Sequence, residues 1–370
     1  MNIVASGKFN LNLIAEKFTE LDNNNIRSIS QGMILDNYCD SIIAQPEIDF
    51  TGIDGVEDQA SKFNGYLYTA QSQAITYKKV LKPAILGVLS DIGTFCDLYK
   101  IVPTLNPGDN KEKWLAILNT MYSYASEYSK NAKKVAEDLT QFSVDISKNS
   151  TVMDSIVSDL NAVIGGDKGV LNDIKKSLND INSQISGAIA ATVVSAITTL
   201  VGIIMAVVGP IVSVITGGTA IPFIIGGVSI TAAGAAGTAA AATKLAQLYS
   251  NKAFLLTEQI KLSNEITVAT GISQGISALS SYADTARDAC DNMADTWSWM
   301  SSDLENLQTS LYEGIIDTQN LQELFVKVIQ GSVDKCSENV GIIKRQLAGI
   351  SDVEIPENTT ISEYLYSIAA

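Results

Sequence analysis

The sequence predicts an all-α protein, an elongated antiparallel helical bundle with a small hydrophobic head at one end. Three observations predict it. No proline lies between Pro107 and Pro210 or between Pro222 and Pro356, so long helices are allowed on both sides of the chain's centre. Apolar residues in both segments alternate at gaps of three and four, the seam of packed helices. Between them, no Asp, Glu, Lys or Arg occurs from Ile181 to Thr243.

Taken in order, the start "MNIVASGKFNLNLIAEKF" lacks a basic n-region followed by an apolar h-region. Three readings stand: retention inside the cell, export by a signal-independent route, or a signal already removed. "GMILDNYCDSIIAQPEIDF" reads as a helix stopped before Pro46. The segment from "DQASKFNGYLYTAQ" to "DLYKIVP" reads as a helix bent or broken near Pro83. In "PTLNPGDNKEKW", Asn110 is an N-cap for the next helix.

That helix carries Leu118, Met121, Ala125, Tyr128, Ala132, Val135, Leu139, Phe142 and Ile146 in one seam. Asn149 interrupts it; Met153, Ile156, Leu160 and Val163 continue in phase. After Gly165-Gly166 the seam resumes at Leu171, Ile174, Leu178, Ile181 and Ile185 and enters the uncharged block. Beyond the block, the seam from Ile272 through Ile276, Leu279, Ala283, Ala286, Cys290, Met293, Trp297, Met300, Leu304 and Leu307 to Leu311 describes a rod of roughly 60 Å. Leu321 to Ile350 gives another amphipathic helix; the closing "ISDVEIPENTTISEYLYSIAA" is ambiguous.

The block divides into two candidate membrane spans. Gly187 to Gly209 would be about 35 Å as helix, and Phe223 to Thr243 about 31 Å, against a hydrocarbon core of roughly 30 Å. In the first span Ile189, Val193, Ile197, Leu200, Ile204 and Val208 form a bulky face. Thr192, Ser195 and Thr199 lie on a small, weakly polar face that would meet a neighbouring helix or water. The alternative for these hydroxyls is a bond back to their own helix carbonyls. Ile211, Val214, Ile221, Phe223, Ile224 and Ile225 complete the apolar set between and into the second span. "IVSVIT" and "IPFIIGG" could equally be two short strands joined at Gly217-Gly218, a short β-hairpin in a soluble form. Gly165, Gly166, Gly187, Gly209 and Gly237 are hinge candidates, with a plain loop as the other reading of the first pair.

Composition excludes several functions. A formal charge of −15 argues against nucleic acid as a partner. The absence of histidine removes the commonest general base and zinc ligand. Phosphate-loop, dinucleotide, zinc-protease and EF-hand motifs are missing, so no catalytic, cofactor or metal residues are assigned. Cys39, Cys96, Cys290 and Cys336 form no C-x-x-C and read as buried free thiols in helices.

Four features together resemble the α-helical pore-forming toxins related to cytolysin A, haemolysin BL and the non-haemolytic enterotoxin. They are "AQPEIDF" after an early helix, "YKKVLKPAIL" in a second, the long rod leading into the uncharged block, and the returning rod. The resemblance implies a tail of about five helices, here residues 1–185 and 244–370, and a membrane-inserting head, here 186–243. A head long enough for two helices is most like the B component of the Gram-negative tripartite toxins. It further implies secretion, refolding of the head at a target-cell lipid bilayer, and an oligomeric ring with sister components. A membrane-anchored coiled-coil scaffold with a permanent transmembrane hairpin is the alternative; it would need detergent for extraction, and a toxin subunit would not.

Overall fold

Proline has no N–H and crowds the carbonyl four residues earlier, so Pro83 cannot sit in an undisturbed α-helix. The computed structural model shows how the chain absorbs it. α2 (Glu57–Thr76) widens into a π-helical turn at Tyr77–Leu81 and continues as α3 (Lys82–Ile101). The structure describes residues 11–48, 50, 55–105, 110–199, 203–208, 212–216, 219–223, 229–233, 236–257, 264–348, 351–354 and 361–369.

The remaining helices are α1 (Leu11–Ile43), α4 (Lys111–Val163), α5 (Lys168–Thr199), α6 (Ala236–Thr257), α7 (Asn264–Tyr312), α8 (Thr318–Val328), α9 (Asp334–Ala348) and α10 (Ile361–Ala369). A second π-helical turn, Ile329–Val333, divides the single helix expected over Leu321 to Ile350 into α8 and α9. The strands are β1 (Ile203–Val208), β2 (Val212–Thr216), β3 (Thr219–Phe223), β4 (Ser229–Ala233) and β5 (Ser351–Glu354).

The two rods are α4, 53 residues, and α7, 49 residues. Every seam residue of α7 from Ile272 to Leu311 is buried, as is every one of α4 from Leu118 to Leu160; Val163 is exposed at the helix end. Asn149 shows why a polar residue can interrupt a buried seam. Its amide nitrogen donates to the Tyr66 carbonyl at 3.1 Å and reaches Gln73 Oε1 at 3.4 Å where α2 meets α4, which satisfies the donor side of the group. At the start of α4, Asn110 Oδ1 accepts from the Lys113 N–H at 2.9 Å, the expected N-cap.

The chain divides into two compact units, one of residues 1–29, 83–138 and 286–345, the other of 30–82, 139–285 and 346–370. The first has an aromatic core. The Phe95 and Trp297 rings meet edge to face at 4.9 Å, and Tyr99 stacks on Phe325 at 4.8 Å. Asp317 caps α8 there by accepting the Asn320 N–H at 2.7 Å.

In the second unit both early motifs find their partners. The Gln71 side chain donates to the Gln45 carbonyl at 2.8 Å and reaches the Ile42 and Ile43 carbonyls at 3.4 and 3.3 Å, satisfying the open end of α1. Asn64 exchanges two 3.0 Å bonds with the backbone of Ile48. These bonds hold the "AQPEIDF" turn. From "YKKVLKPAIL", Lys78 pairs with Asp36 and Asp40, and Lys82 with Asp36 at 2.6 Å, which ties the π-helical turn to α1.

The apolar block is not wholly helical. β1 pairs antiparallel with β4 (Ile204↔Ala232) and parallel with β5 (Met205↔Ser351), giving the order β4-β1-β5. β2 and β3 form an antiparallel hairpin closed at Thr216↔Thr219, the hairpin that "IVSVIT" and "IPFIIGG" allowed. Its centre, Gly217-Gly218, lies outside the described residues. The ambiguous closing segment thus supplies one strand to the block's sheet and one helix, α10, that packs on α6.

Candidate functional site

α5 and α6 carry the chain into and out of the strands and pack against each other. Where they do so, α6 buries a lysine. Lys252 is 0% exposed, and its Nζ donates to Asn182 Oδ1 of α5 at 2.7 Å. Burial pushes its pKa down to about 7. No carboxylate pairs with it among the described residues.

The same asparagine anchors a wider polar cluster. The Tyr282 hydroxyl of α7 donates to the Asn182 carbonyl at 3.2 Å. Ser186 Oγ lies 2.9 Å from that carbonyl and also bonds Tyr282. The Tyr38 ring of α1 stands 5.1 Å from that of Tyr282. Burial raises the Tyr38 and Tyr282 hydroxyls, so both phenols stay neutral at about pH 7, where the lysine titrates. Sequence reading did not single out Lys252 or Asn182. The signal was there: Leu245, Tyr249, Lys252 and Leu256 alternate by four and three, which places a lysine on an apolar stripe.

The bulky residues named from the sequence are distributed along this route. Ile189 is 0% exposed on α5. Val193 and Ile197 follow on the same helix, Ile204 and Val208 stand in β1, Val214 in β2, and Ile221 and Phe223 in β3. Leu200, Ile211, Ile224 and Ile225 lie outside the described residues. The first candidate span is therefore not one helix in this form; it is helix through Thr199 and strand from Ile203. Its β-branched residues suit either state, and pairing with β4 and β5 favours the strand. Among the described residues no helix is long and apolar enough to cross a membrane.

On the small face, Thr192 is buried and its hydroxyl donates to the Ala188 carbonyl at 2.8 Å, the back-bonded alternative. Ser195 and Thr199 lie on the same helix. Of the hinge candidates, Gly165 adopts φ +68°, and its N–H bonds the Ala162 carbonyl at 3.1 Å while the Gly166 N–H bonds that of Asn161 at 2.8 Å. This is a Schellman stop for α4. Asp167 then caps α5 by accepting the Gly169 N–H at 2.7 Å. Gly187 and Gly237 are inside α5 and α6, and Gly209 lies outside the described residues. No group of His, Cys, Asp and Glu among the described residues could hold a metal ion.

The family model of the Bacillus haemolytic enterotoxin (HBL) matches residues 17–188. A comparison with curated proteins found no match. Among solved structures, soluble AhlB of the tripartite α-pore-forming toxin of Aeromonas hydrophila is similar, with a TM-score of 0.88 and 28% identity over 94% of this chain and 99% of that one. Soluble SmhB of the corresponding Serratia marcescens toxin gives 0.88 and 28% over 95% and 99%. The AhlB pore form matches less closely, at 0.62 and 27% over 91% and 99%. With the family model reaching from α1 into α5 and near full-length likeness to two soluble subunits, the chain is similar to the α-helical pore-forming toxins and resembles the B components of tripartite toxins.

Proposed function

We propose that this protein is a secreted subunit that refolds its hydrophobic head at a target-cell bilayer and assembles with sister components into a lytic pore. One observation carries the reading. The fold matches a soluble toxin subunit at 0.88 and the same subunit's pore form at 0.62. The present conformation is thus of the soluble kind, with an uncharged block folded onto its own helices.

The physics of lipid gives the direction of the change. An open sheet leaves backbone groups unpaired at its edges, and hydrocarbon offers them no partner. The head, residues 186–243, therefore inserts as helix. Prolonging α5 to Gly209 yields a rod of about 35 Å, and prolonging α6 back to Phe223 yields about 31 Å, each enough for the bilayer core. Ile189, Val193, Ile197, Leu200, Ile204 and Val208 then face acyl chains, with Ile211, Val214, Ile221, Phe223, Ile224 and Ile225 buried in the connecting and second segments. Thr192, Ser195 and Thr199 face a neighbouring subunit or pore water. Gly165, Gly166, Gly187, Gly209 and Gly237 serve as hinges, and residues 1–185 and 244–370 remain the tail. The reading gives the chain no catalytic step.

Ile204→Asp tests the head. It places a carboxylate at membrane depth, at a cost of about 2.5–3.5 kcal/mol on insertion scales. Liposome leakage with the sister components should fall while the circular dichroism of the soluble protein is retained. Wild-type leakage by a folded Ile204→Asp protein would remove the head from the lipid contact.

A further inference from the structure

Cys96 and Cys336 are far apart in sequence, and the fold puts their thiols together. Cys96 lies in α3 and Cys336 in the first turn of α9, with a hydrogen bond between the two side chains. Both are sealed from solvent, at 0% and 1% exposure. Contacts on either side hold the two helices antiparallel and close. One turn away, Lys100 Nζ meets the Asp334 carboxylate at 3.2 Å. A turn in the other direction, a Cβ added to Gly93 would stand only 3.0 Å from Val340 Cγ1, so glycine is what permits the approach. The other two thiols have different neighbours: Cys290 Sγ lies 3.5 Å from Ser28 Oγ, and Cys39 sits among Asp36, Asp40, Lys78 and Lys82. All four are free thiols in this structure.

We propose that Cys96 and Cys336 form a disulfide when the protein meets an oxidising medium, stapling α9 to α3. Disulfides need close Cα and Cβ approach, and two antiparallel helices held together on either side of a neighbouring pair of thiols favour it. The oxidant is a low-molecular-weight disulfide. One protein thiol gives up its proton, and the thiolate attacks a sulfur of that disulfide, forming a mixed disulfide and releasing one small thiolate. The second protein thiol, deprotonated in turn, attacks the protein sulfur of the mixed disulfide and releases the other small thiolate. Both leaving thiolates take up the released protons, so two protein thiols are oxidised and one small disulfide is reduced to two thiols. The hydrogen bond to Cys96 and burial push the Cys336 thiol up, so thiolate is scarce in the closed helix pair. The exchange therefore proceeds as the chain folds or as α9 opens from α3. The extracellular setting rests on the secreted-toxin reading; the bond itself does not, and its test needs no membrane.

The test uses the full-length protein, incubated with oxidised glutathione in mild urea and returned to buffer. Thiol titration after complete denaturation should fall from four to two. Peptide mass spectrometry without reduction should find the Cys96–Cys336 link. The melting temperature should rise by on the order of 10 °C, because the bond closes a long loop in the unfolded chain, and dithiothreitol should reverse the gain. Cys96→Ser and Cys336→Ser should each keep three thiols and show no oxidative gain. Four surviving thiols in the oxidised wild type, or a link through Cys39 or Cys290, would overturn the assignment without any use of the variants.

Discussion

Replacing Lys252 by Met should abolish a pH dependence in how firmly α6 is held. The amine titrates near 10.5 when α6 is open to water and at about 7 in the closed protein. Between those values the open form holds a proton that the closed form has released, so closed-state stability rises with pH; below about 7 both forms are protonated and the dependence ends. Each unit inside the window is worth about 1.4 kcal/mol, so moving from pH 7 to 9 should add roughly 2 kcal/mol. Acidification should add no further destabilisation through this group. The phenols of Tyr38, Tyr249 and Tyr282 stay neutral across the window because burial raises all three. Met keeps most of the buried stem and drops the amine. It also removes the bond to Asn182, which shifts stability by about 1 kcal/mol at every pH and leaves the slope unaffected. The assay is amide hydrogen exchange on α6 at pH 7, 8 and 9, corrected for the base-catalysed intrinsic rate. Equal pH slopes for wild type and Lys252→Met would refute the reasoning.

Three further predictions address the refolding. Met205 pairs with Ser351, so cysteines at both positions, in a Cys96→Ser background, should lock β1 to β5; lysis should stop on oxidation and return on reduction, and full activity of the crosslinked protein would exclude conversion of β1 to helix. Ser195→Leu adds bulk on the small face and should block oligomer formation on liposomes while lipid co-sedimentation persists, with Ser195→Gly near wild type; equal ring yields for the two would show that this face is no interface. Gly165→Ala forces a side chain into the left-handed region and should cost about 1 kcal/mol of stability; slower lysis at matched folded concentration is expected of a hinge, and unchanged lysis would leave it a helix stop.

The rods, their caps and their seams were legible in the sequence because helix hydrogen bonds are local and the buried face repeats within a few residues. Leu118 to Leu160 and Ile272 to Leu311 are buried as their spacing required, and Asn110 caps α4. The uncharged block was equally legible as the part unlike the rest. Its state was not, because glycine and β-branched residues leave strand and helix close in energy, and the choice falls to partners. For β1 those partners are β4 nearby and β5 near the C-terminus, and no local pattern announces a pairing across that separation. The same holds for Lys252, whose burial depends on Asn182 of another helix, and for Cys96 with Cys336, which meet because Gly93 lets α9 approach α3. The sequence alone determined the long helices and the seams they hide; tertiary structure decided the state of the uncharged block, the burial of Lys252 and which distant segments meet, because those contacts are made between elements whose separate patterns carry no record of each other.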